Sequence, residues 1–181
     1  MAYTRQHFRS LIKKLNDNIN EMEKMLNEYL QFSSLSYVEK DEMFNLSELI
    51  EKIVIKYDSK NISFNSKSRV YFNGRKNLIT RCLNNLIDNG LKYAKKVEIK
   101  LHKENTNLSI IIDDDGPGIS SDEHKNVFKP FYKIDKGRAE SKSSVGLGLS
   151  IASDIIRSHG GNIVLDKSKM NGLSVKIFLP V

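Results

Sequence analysis

Asn85-Leu86-Ile87-Asp88-Asn89-Gly90-Leu91-Lys92-Tyr93 is the stretch around which the rest of this chain is interpreted. Its two asparagines are four residues apart, so on a helix they share one face, with Lys92 and Tyr93 one turn further along. The neighbouring side carries an apolar stripe, formed by Ile79, Cys82, Leu83, Leu86 and Ile87. An amide oxygen can bind a hard cation, a lysine can meet phosphate and a tyrosine can lie against a ring. The same pattern also fits a core helix whose polar residues face solvent.

The composition suits one domain with an appendage. The chain has 181 residues, of which 39% are apolar, enough for an ordinary core. Its net charge of +7 would suit a nucleotide, an anionic surface or nucleic acid, but the basic residues are spread along the chain, which disfavours nucleic acid. The single Cys82 cannot form an internal disulfide. Because no apolar run approaches roughly 20 residues and residues 1–5 have no signal-peptide core, we expect this part of the protein to be soluble and cytoplasmic.

A heptad pattern predicts one long helix from about residue 8 to residue 32. Its apolar residues alternate in spacings of four and three: Phe8, Ile12, Leu15, Ile19, Met22, Leu26 and Tyr29. The remaining sequence offers this seam no evident partner, so we expect self-association through residues 8–32. The alternative is a helix that packs on its own domain. Ser33 and Ser34 loosen the pattern and mark a linker.

The chain beyond residue 40 alternates between helical and strand periodicity. Helical spacing from Leu46 to Tyr57 predicts a helix that Asn45 or Ser47 can cap. A short helix is expected around residues 122–126. Strands are predicted at residues 62–64, 70–72, 97–101, 108–112, 163–165 and 175–179.

Two glycine-containing segments carry further chemical signals. Asp113, Asp114 and Asp115 follow a very apolar strand, and clustered carboxylates need donors, a metal or solvent because they repel one another. Gly116 and Gly118 then allow the backbone to approach a ligand, although a simple turn has the same composition. Residues 145–149, Val-Gly-Leu-Gly-Leu, open a helix, and a glycine-rich loop before a helix N-terminus suits phosphate. A lone Gly-x-Gly also fits ordinary helix entry.

Four segments occur in a set order: Asn-x-x-x-Asn with Lys-Tyr (85–93), Asp-x-Gly-x-Gly (114–118), Phe-Lys-Pro-Phe (128–131) and Gly-Leu-Gly-Leu (146–149). In order and spacing they resemble the N, G1, F and G2 boxes of sensor histidine kinases, particularly osmosensor-type kinases. The resemblance covers roughly residues 40–181. It implies the two-layer α/β sandwich that binds ATP in histidine kinases, Hsp90-type chaperones, type II topoisomerases and MutL, with helices on one face of a mixed sheet. Residues 1–36 resemble the second helix of the dimerisation and histidine-phosphotransfer hairpin, and residues 37–181 the catalytic ATP-binding domain.

The resemblance also implies roles for the matched residues. Asn89 resembles the amide that coordinates the Mg²⁺ bridging the phosphates, with Asn85 as a supporting amide, and Lys92 resembles a phosphate-contacting base; these three form the expected catalytic set. Tyr93 would lie near the adenine, and Asp114 would accept a hydrogen bond from the amino group of the adenine. Phe128 and Phe131 resemble hinge anchors of a lid over residues 133–145. The expected ATP-binding set is Asn85, Asn89, Lys92, Tyr93, Asp114, Gly116, Gly118, Ile119, Phe131, Gly146, Leu147, Gly148 and Leu149.

The sequence departs from the family pattern in three places. Ser144 and Val145 replace the usual Gly and Thr or Ser of the G2 box, which puts lid geometry and affinity in doubt. Arg75 stands where an Asp often precedes the Asn-containing helix. No stretch matches the phosphoacceptor motif: His7-Phe8-Arg9-Ser10 lacks its acid and Thr-Pro, and the other three histidines fall in a strand, a short helix and a helix end. We therefore expect Mg-ATP binding without autophosphorylation, as in a fragment or short form of a longer kinase.

The resemblance implies a two-component phosphotransferase that positions Mg-ATP for γ-phosphoryl transfer to a histidine absent from this chain. The expected partners are ATP, the phosphoacceptor-histidine segment of the parent kinase, a response regulator and a second copy of the chain, but no nucleic acid. The parent protein would be anchored in the inner membrane, as most relatives are. Three alternatives stay open: an anti-sigma-factor Ser kinase, which lacks a long leading heptad helix; a regulator whose shape ATP merely locks; and a basic nucleic-acid binder.

Overall fold

The computed structural model describes residues 7–20, 22–23, 26, 30, 39–57, 60–66, 68–104, 107–134 and 146–180. All described residues from 7 to 30 are helical and form α1. The predicted linker at Ser33-Ser34 and the lid residues 135–145 lie outside these ranges. In the part of the chain so described, no helix combines the length and the apolar character that crossing a membrane requires.

Among the described residues, three α-helices and seven strands follow α1. The helices are α2 (Leu46–Lys56), α3 (Lys76–Tyr93) and α4 (Gly148–Ser158). The strands are β1 (Glu42–Asn45), β2 (Ile62–Ser66), β3 (Tyr71–Gly74), β4 (Val97–Glu104), β5 (Asn107–Asp114), β6 (Asn162–Lys167) and β7 (Leu173–Pro180). Apart from β1, which is not among the predicted strands, the order agrees with the sequence prediction.

The main sheet is mixed and has five strands in the order β2-β4-β5-β7-β6. Strands β2 and β4 run parallel and the other neighbours run antiparallel. A parallel pair needs a long crossover, which here contains β3 and α3. Strands β1 and β3 form a separate antiparallel pair. The sheet topology therefore places α3, with its asparagines, across the middle of the sheet.

The core lies between one face of this sheet and the three helices. Alternate residues of the strands are buried there, as in Val97, Ile99 and Leu101 of β4, because successive side chains of a strand point to opposite faces. Helix α2 contacts β2, α3 contacts β4 and β5, and α4 contacts β6. The opposite face is partly exposed and carries charged residues such as Lys100 and Lys176. This arrangement is the predicted two-layer α/β sandwich with helices on one face.

Three local details differ from the sequence prediction or refine it. The expected short helix at residues 122–126 is one turn of 3-10 helix, Ser121–Glu123, followed by turns. Asn45, not Ser47, caps α2, because its side chain accepts from the N–H of Glu48. Strand β3 continues through Gly74, so α3 is entered at Arg75 without a separate turn.

The apolar seam of α1 is uncovered in the single chain. Each of its described members is at least 46% exposed: Phe8, Ile12, Leu15, Ile19, Met22 and Leu26. The nearby Leu11 and Leu30 are exposed as well. The described part of the seam therefore does not pack on its own domain, as one alternative had held. Tyr29, the last predicted member, lies outside the described residues.

Candidate functional site

Helix α3 separates its apolar and polar residues sharply. Its core side is buried and consists of Leu78, Ile79, Cys82, Leu83, Leu86, Ile87 and Gly90. Asn85 and Asn89 lie at the edge of that side and are half-buried, while Lys92 and Tyr93 are exposed. The Lys92 Nζ is 5.0 Å from the centre of the Tyr93 ring, a cation–π distance. The structure therefore places the four polar residues of the strip along one border of the core.

The amide of Asn85 is the least satisfied polar group at this border. Its Nδ2 is buried and has no hydrogen-bond partner among the described residues. Such an atom costs free energy unless a ligand or water accepts its hydrogens, so it points to an acceptor that binds here. Flipping the side-chain amide, so that Oδ1 and Nδ2 exchange places, would present Oδ1 instead, the atom that a hard cation needs.

The start of α4 lies against Asn85. A Cβ placed on Gly148 would be 3.8 Å from the Cβ of Asn85, which is ordinary contact. The first helical hydrogen bond runs from Ile151 N–H to Leu147 O, so the N–H groups of residues 148–150 precede it. Leu147 gives no side-chain cap and the first turn has no acidic residue. The positive end of α4 therefore faces the Asn85 amide without an anion from its own turn.

Asp114 is held by the backbone at the end of β5. Its Oδ1 accepts from the N–H of Gly116 at 2.9 Å and from the N–H of Leu173 at 3.0 Å. The residue is buried, at 7% exposure. Because both of these bonds fall on Oδ1, the orientation of the carboxylate is set and Oδ2 is left for another donor. A fixed buried acceptor of this kind can select a ligand that carries an amino group.

The two neighbouring acids point elsewhere. Asp113 lies on the other face of the sheet, where its Oδ2 is 3.4 Å from Lys100 Nζ. Asp115 Oδ1 accepts from the N–H groups of Lys95 and Lys96, both at 2.8 Å, and these bonds hold the pKa of Asp115 below its ordinary value. The repulsion expected among three carboxylates is thus relieved by three separate sets of donors.

The Asp-x-Gly-x-Gly loop packs tightly against α3 and against the β6–β7 turn. A Cβ on Gly116 would lie 3.0 Å from Tyr93 O, and one on Gly172 would lie 2.3 Å from Asp114 Oδ1. Gly118 has a φ of 71°, a conformation that side chains disfavour. Glycine is therefore required at residue 116 by close approach and at residue 118 by backbone conformation.

The two ends of the expected lid are joined by a backbone hydrogen bond. Phe131 N–H donates to Gly146 O at 3.0 Å, which closes the chain on itself at the base of the segment. Phe131 is 59% exposed with a φ of 64°, whereas Phe128 packs against the core. Gly146 has a φ of 77°. Of the predicted lid only residues 133 and 134 are described, and Ser144 and Val145 fall outside the described ranges.

The sequence-predicted residues thus meet along α3 at two places. Gly148 meets Asn85 at one, and Gly116 meets Tyr93 at the other. These places are separated by eight residues, or about 12 Å of helix. Two motifs that are far apart in sequence therefore border the helix that carries the third. Ile119, Leu147 and Leu149, the apolar members of the expected set, are buried or packed against the core beside these loops.

A metal ion at this border would depend on ligands from outside the protein. Within the described ranges, no group of three or more His, Cys, Asp or Glu side chains is placed to hold a metal. The amides of Asn85 and Asn89 fit a magnesium ion that arrives with phosphate oxygens and water, because Mg²⁺ commonly binds through few protein ligands.

His159 connects the end of α4 to the start of α3. It sits at the end of α4, where its Nε2 accepts from the N–H of Arg75 at 3.0 Å and its Nδ1 is 2.7 Å from Ile155 O. Burial lowers the pKa of His159. Burial also raises the pKa of the Cys82 thiol, which is enclosed between α3 and α4 as the predicted small core residue.

Several residues that shape the site had no signal in the sequence. Leu173 donates to Asp114 and Gly172 lies against it, contacts that the predicted strands of this hairpin did not indicate. Glu39 and Arg75 each make contacts at the start of α3, and these contacts join segments 38 or more residues apart. No local periodicity can report such contacts.

Comparison with known proteins relates this arrangement to a family. A model described as "Histidine kinase-, DNA gyrase B-, and HSP90-like ATPase" matches residues 74–181. The sensor histidine kinase CpxA of Escherichia coli is 34% identical over 109 residues, which are 60% of this chain and 24% of that protein. The sensor histidine kinase WalK of Bacillus subtilis is 30% identical over 178 residues, which are 89% of this chain and 29% of that protein.

A solved structure agrees in fold. The histidine kinase domain of the E. coli osmosensor EnvZ superposes with a TM-score of 0.60 at 27% identity, covering 77% of this chain and 88% of that domain. The chain spans only about a quarter of the length of the two curated relatives.

Proposed function

This chain belongs to the histidine kinase-, DNA gyrase B- and HSP90-like ATPase family, and on that premise we propose that it positions Mg-ATP for γ-phosphoryl transfer to a histidine outside this chain. It is an ATP-binding catalytic domain of the sensor histidine kinase type, with relatives in two-component systems. The parent enzyme is a protein histidine kinase.

The observation that carries the proposal is the buried Asn85 Nδ2 beside the uncapped start of α4. An unsatisfied amide donor and a positive helix end converge on one place, and phosphate oxygens satisfy both. About 12 Å further along α3, at Tyr93, the helix meets the loop that begins with Asp114. There the free Oδ2 of Asp114 offers the complementary feature, an acceptor for an amino group. A triphosphate joined to an aminopurine fits the two features at once.

In this proposal each residue acts by binding or orienting. The amide of Asn89, with Asn85, holds Mg²⁺, which neutralises phosphate charge when it is bound. Lys92 contacts phosphate, and the backbone around Gly146 and Gly148 lies close to the phosphates. Phosphoryl transfer asks little covalent chemistry of a protein, so positioning and charge neutralisation account for the role of this domain.

The base-binding end uses other residues. Asp114 accepts from the adenine amino group through Oδ2, and Tyr93 lies beside the ring. Gly116 and Gly118 let the loop backbone approach the base, while Ile119, Leu147 and Leu149 line the apolar surroundings. Phe131 and Gly146, hydrogen-bonded to each other, form the base of a lid over the nucleotide.

The partners follow from the missing acceptor. The γ-phosphoryl group goes to the phosphoacceptor-histidine segment of the parent kinase and from there to a response regulator. Residues 8–32 form a homodimer through the exposed seam, because contact with a second copy would remove that apolar surface from water. The chain alone does not phosphorylate itself on histidine; incubation with radiolabelled ATP that left an acid-labile label on it would contradict this. The domain works in the cytoplasm, and the parent kinase is anchored in the membrane.

Calorimetric titration tests nucleotide binding. We expect Mg-dependent binding of ATP, weaker binding of GTP, and loss of the Mg-dependent affinity in Asn89→Ala. The matched control is Asn84→Ala, on the same helix but facing a 290 Å³ hollow between α2 and α3 that Lys56, Tyr57 and Asp88 also line. Equal loss in both variants, or no binding of ATP by the wild-type chain, would overturn the proposal.

A further inference from the structure

Helix α3 begins without a cap of its own. Its N-cap residue is Arg75, which makes no capping hydrogen bond through its side chain, and the first turn contains no acidic residue. Lys76 adds a second cation at the positive end of the helix dipole. Both features disfavour a helix start, because that end is stabilised by acceptors and negative charge.

Glu39 supplies the missing acceptor from a distant part of the chain. Its Oε1 accepts from the N–H of Asn77 at 2.6 Å, and its Oε2 accepts from the N–H of Leu78 at 3.2 Å. These are the second and third residues of the helix, whose N–H groups have no partner within it. The carboxylate therefore caps α3 with charge-assisted bonds from 38 residues earlier in the sequence.

Arg75 connects the same place to the end of α4. Its Nη2 donates to Ser158 O at 2.8 Å and to Ser158 Oγ at 2.6 Å, and its backbone N–H donates to His159 Nε2 at 3.0 Å. Its Nε lies 3.9 Å from Asp41 Oδ1. The guanidinium thus meets the negative end of α4, where a cation is favourable. We name Glu39, Asp41, Arg75, Ser158 and His159 the Arg75 joint.

The Arg75 joint is one end of an antiparallel helix pair, and the proposed phosphate site is the other. Asn85 follows Arg75 by ten residues, and Ser158 follows Gly148 by ten residues. Both paths are about 15 Å of continuous helix. The two helices that meet at the phosphate site therefore also meet at the Arg75 joint, where Glu39 contacts the start of α3 and Asp41 contacts Arg75.

We propose that Glu39 and Arg75 are positioning residues through which the segment that follows α1 sets the placement of α3 and α4 and hence the affinity for Mg-ATP. This inference rests on the proposed nucleotide site. Residues 39–41 are the first described residues after α1. Loss of the Glu39 contacts would remove the cap of α3, which gives these residues a physical route to the site.

Coupling of this kind is reciprocal. If capping by Glu39 favours nucleotide binding, nucleotide must favour capping by the same factor. The loss of a typical N-cap corresponds to a change in affinity of about fivefold. Binding of nucleotide should therefore slow hydrogen exchange at the Asn77 and Leu78 amides, which lie at the far end of α3.

The test measures amide exchange by NMR at residues 77 and 78, with and without Mg²⁺ and a non-hydrolysable ATP analogue. In the wild-type chain the analogue should increase the protection of both amides. Glu39→Ala should lose that protection, no longer respond to the analogue, and bind it about fivefold more weakly. Glu42→Ala is the matched control, since Glu42 is exposed in β1 nearby and carries the same charge.

The outcomes separate this inference from the function on which it rests. If Glu39→Ala loses protection but binds the analogue as the wild-type chain does, Glu39 is only a structural cap and the inference fails. If the amides keep their protection in Glu39→Ala, the cap itself is refuted. A wild-type chain that binds no analogue would sink the proposed function, while exchange in the free chain would still report on the cap.

Discussion

Replacing Asp114 by Asn tests the proposed recognition of the base, because the structure uses only one carboxylate oxygen for folding. Oδ1 accepts from the N–H groups of Gly116 and Leu173. An Asn must keep its oxygen in that position, since its NH₂ group would meet two donors there. The NH₂ group therefore replaces Oδ2, and an acceptor that faces the ligand becomes a donor.

The size of the effect follows from this exchange. A hydrogen bond to a charged group contributes about 1.5–3 kcal/mol, so loss of the contact with the adenine amino group should weaken ATP binding about 10- to 150-fold. Inosine triphosphate carries a carbonyl in place of that amino group, so the variant should bind it better than the wild-type chain does. Stability should fall by no more than about 1 kcal/mol, because Oδ1 keeps both backbone donors.

The assay is calorimetric titration of wild type and Asp114→Asn with ATP and with inosine triphosphate, beside thermal unfolding of each protein. Asp113→Asn is the matched control, because that neighbouring acid faces Lys100 on the opposite side of the sheet and should change neither affinity. Wild-type affinity for ATP in a folded Asp114→Asn variant would refute the reasoning, as would an equal loss for both nucleotides.

Two further predictions concern the glycines at the start of α4 and the pH dependence of stability. Gly148→Ala should fold at least as stably as the wild type, since its Cβ would have no neighbour closer than 3.8 Å, yet it should bind Mg-ATP about 5- to 150-fold more weakly because the methyl group intrudes on the phosphates. Gly146 has a φ of 77°, and a Cβ added there would lie 2.9 Å from Tyr132 O, so Gly146→Ala should instead lose about 1–2 kcal/mol of stability. Melting curves together with titrations distinguish the two variants. Burial lowers the pKa of His159. The stability that its neutral ring contributes is therefore present at pH values above the ordinary histidine pKa near 6.5, and it is lost as the pH falls through the lowered pKa. His159→Gln should remove this part of the slope in urea unfolding as pH falls below about 6.5, and an unchanged slope would contradict it.

Much of the fold was predictable because its signals are local. The strands at residues 97–101 and 108–112 follow from alternation, and α2 and α3 follow from helical spacing, since each pattern depends only on neighbouring residues. The family was also predictable, because four short motifs keep their order and spacing along the chain. The segment at Ser121–Glu123 was predicted as a longer helix but forms a single turn of 3-10 helix. A short polar segment has too little periodicity to indicate the length or type of its helix.

The candidate site was predictable in its residue types but not in its contacts. Nothing local distinguishes the three consecutive acids, yet the structure directs Asp113 to Lys100, Asp115 to the backbone after α3, and Asp114 inward. The difference arises from alternation along β5 and from the donors that neighbouring elements bring to each carboxylate.

The sequence by itself determined the elements, their order and the amide strip of α3, because hydrophobic periodicity and helical geometry act over a few residues. Only the tertiary structure decided that Asn85 meets Gly148 and that Glu39 caps α3. These pairs are separated by 63 and by 38 or 39 residues. Contacts at such separations exist only once the sheet and its helices have packed, so packing, not propensity, places the groups that the proposed chemistry needs.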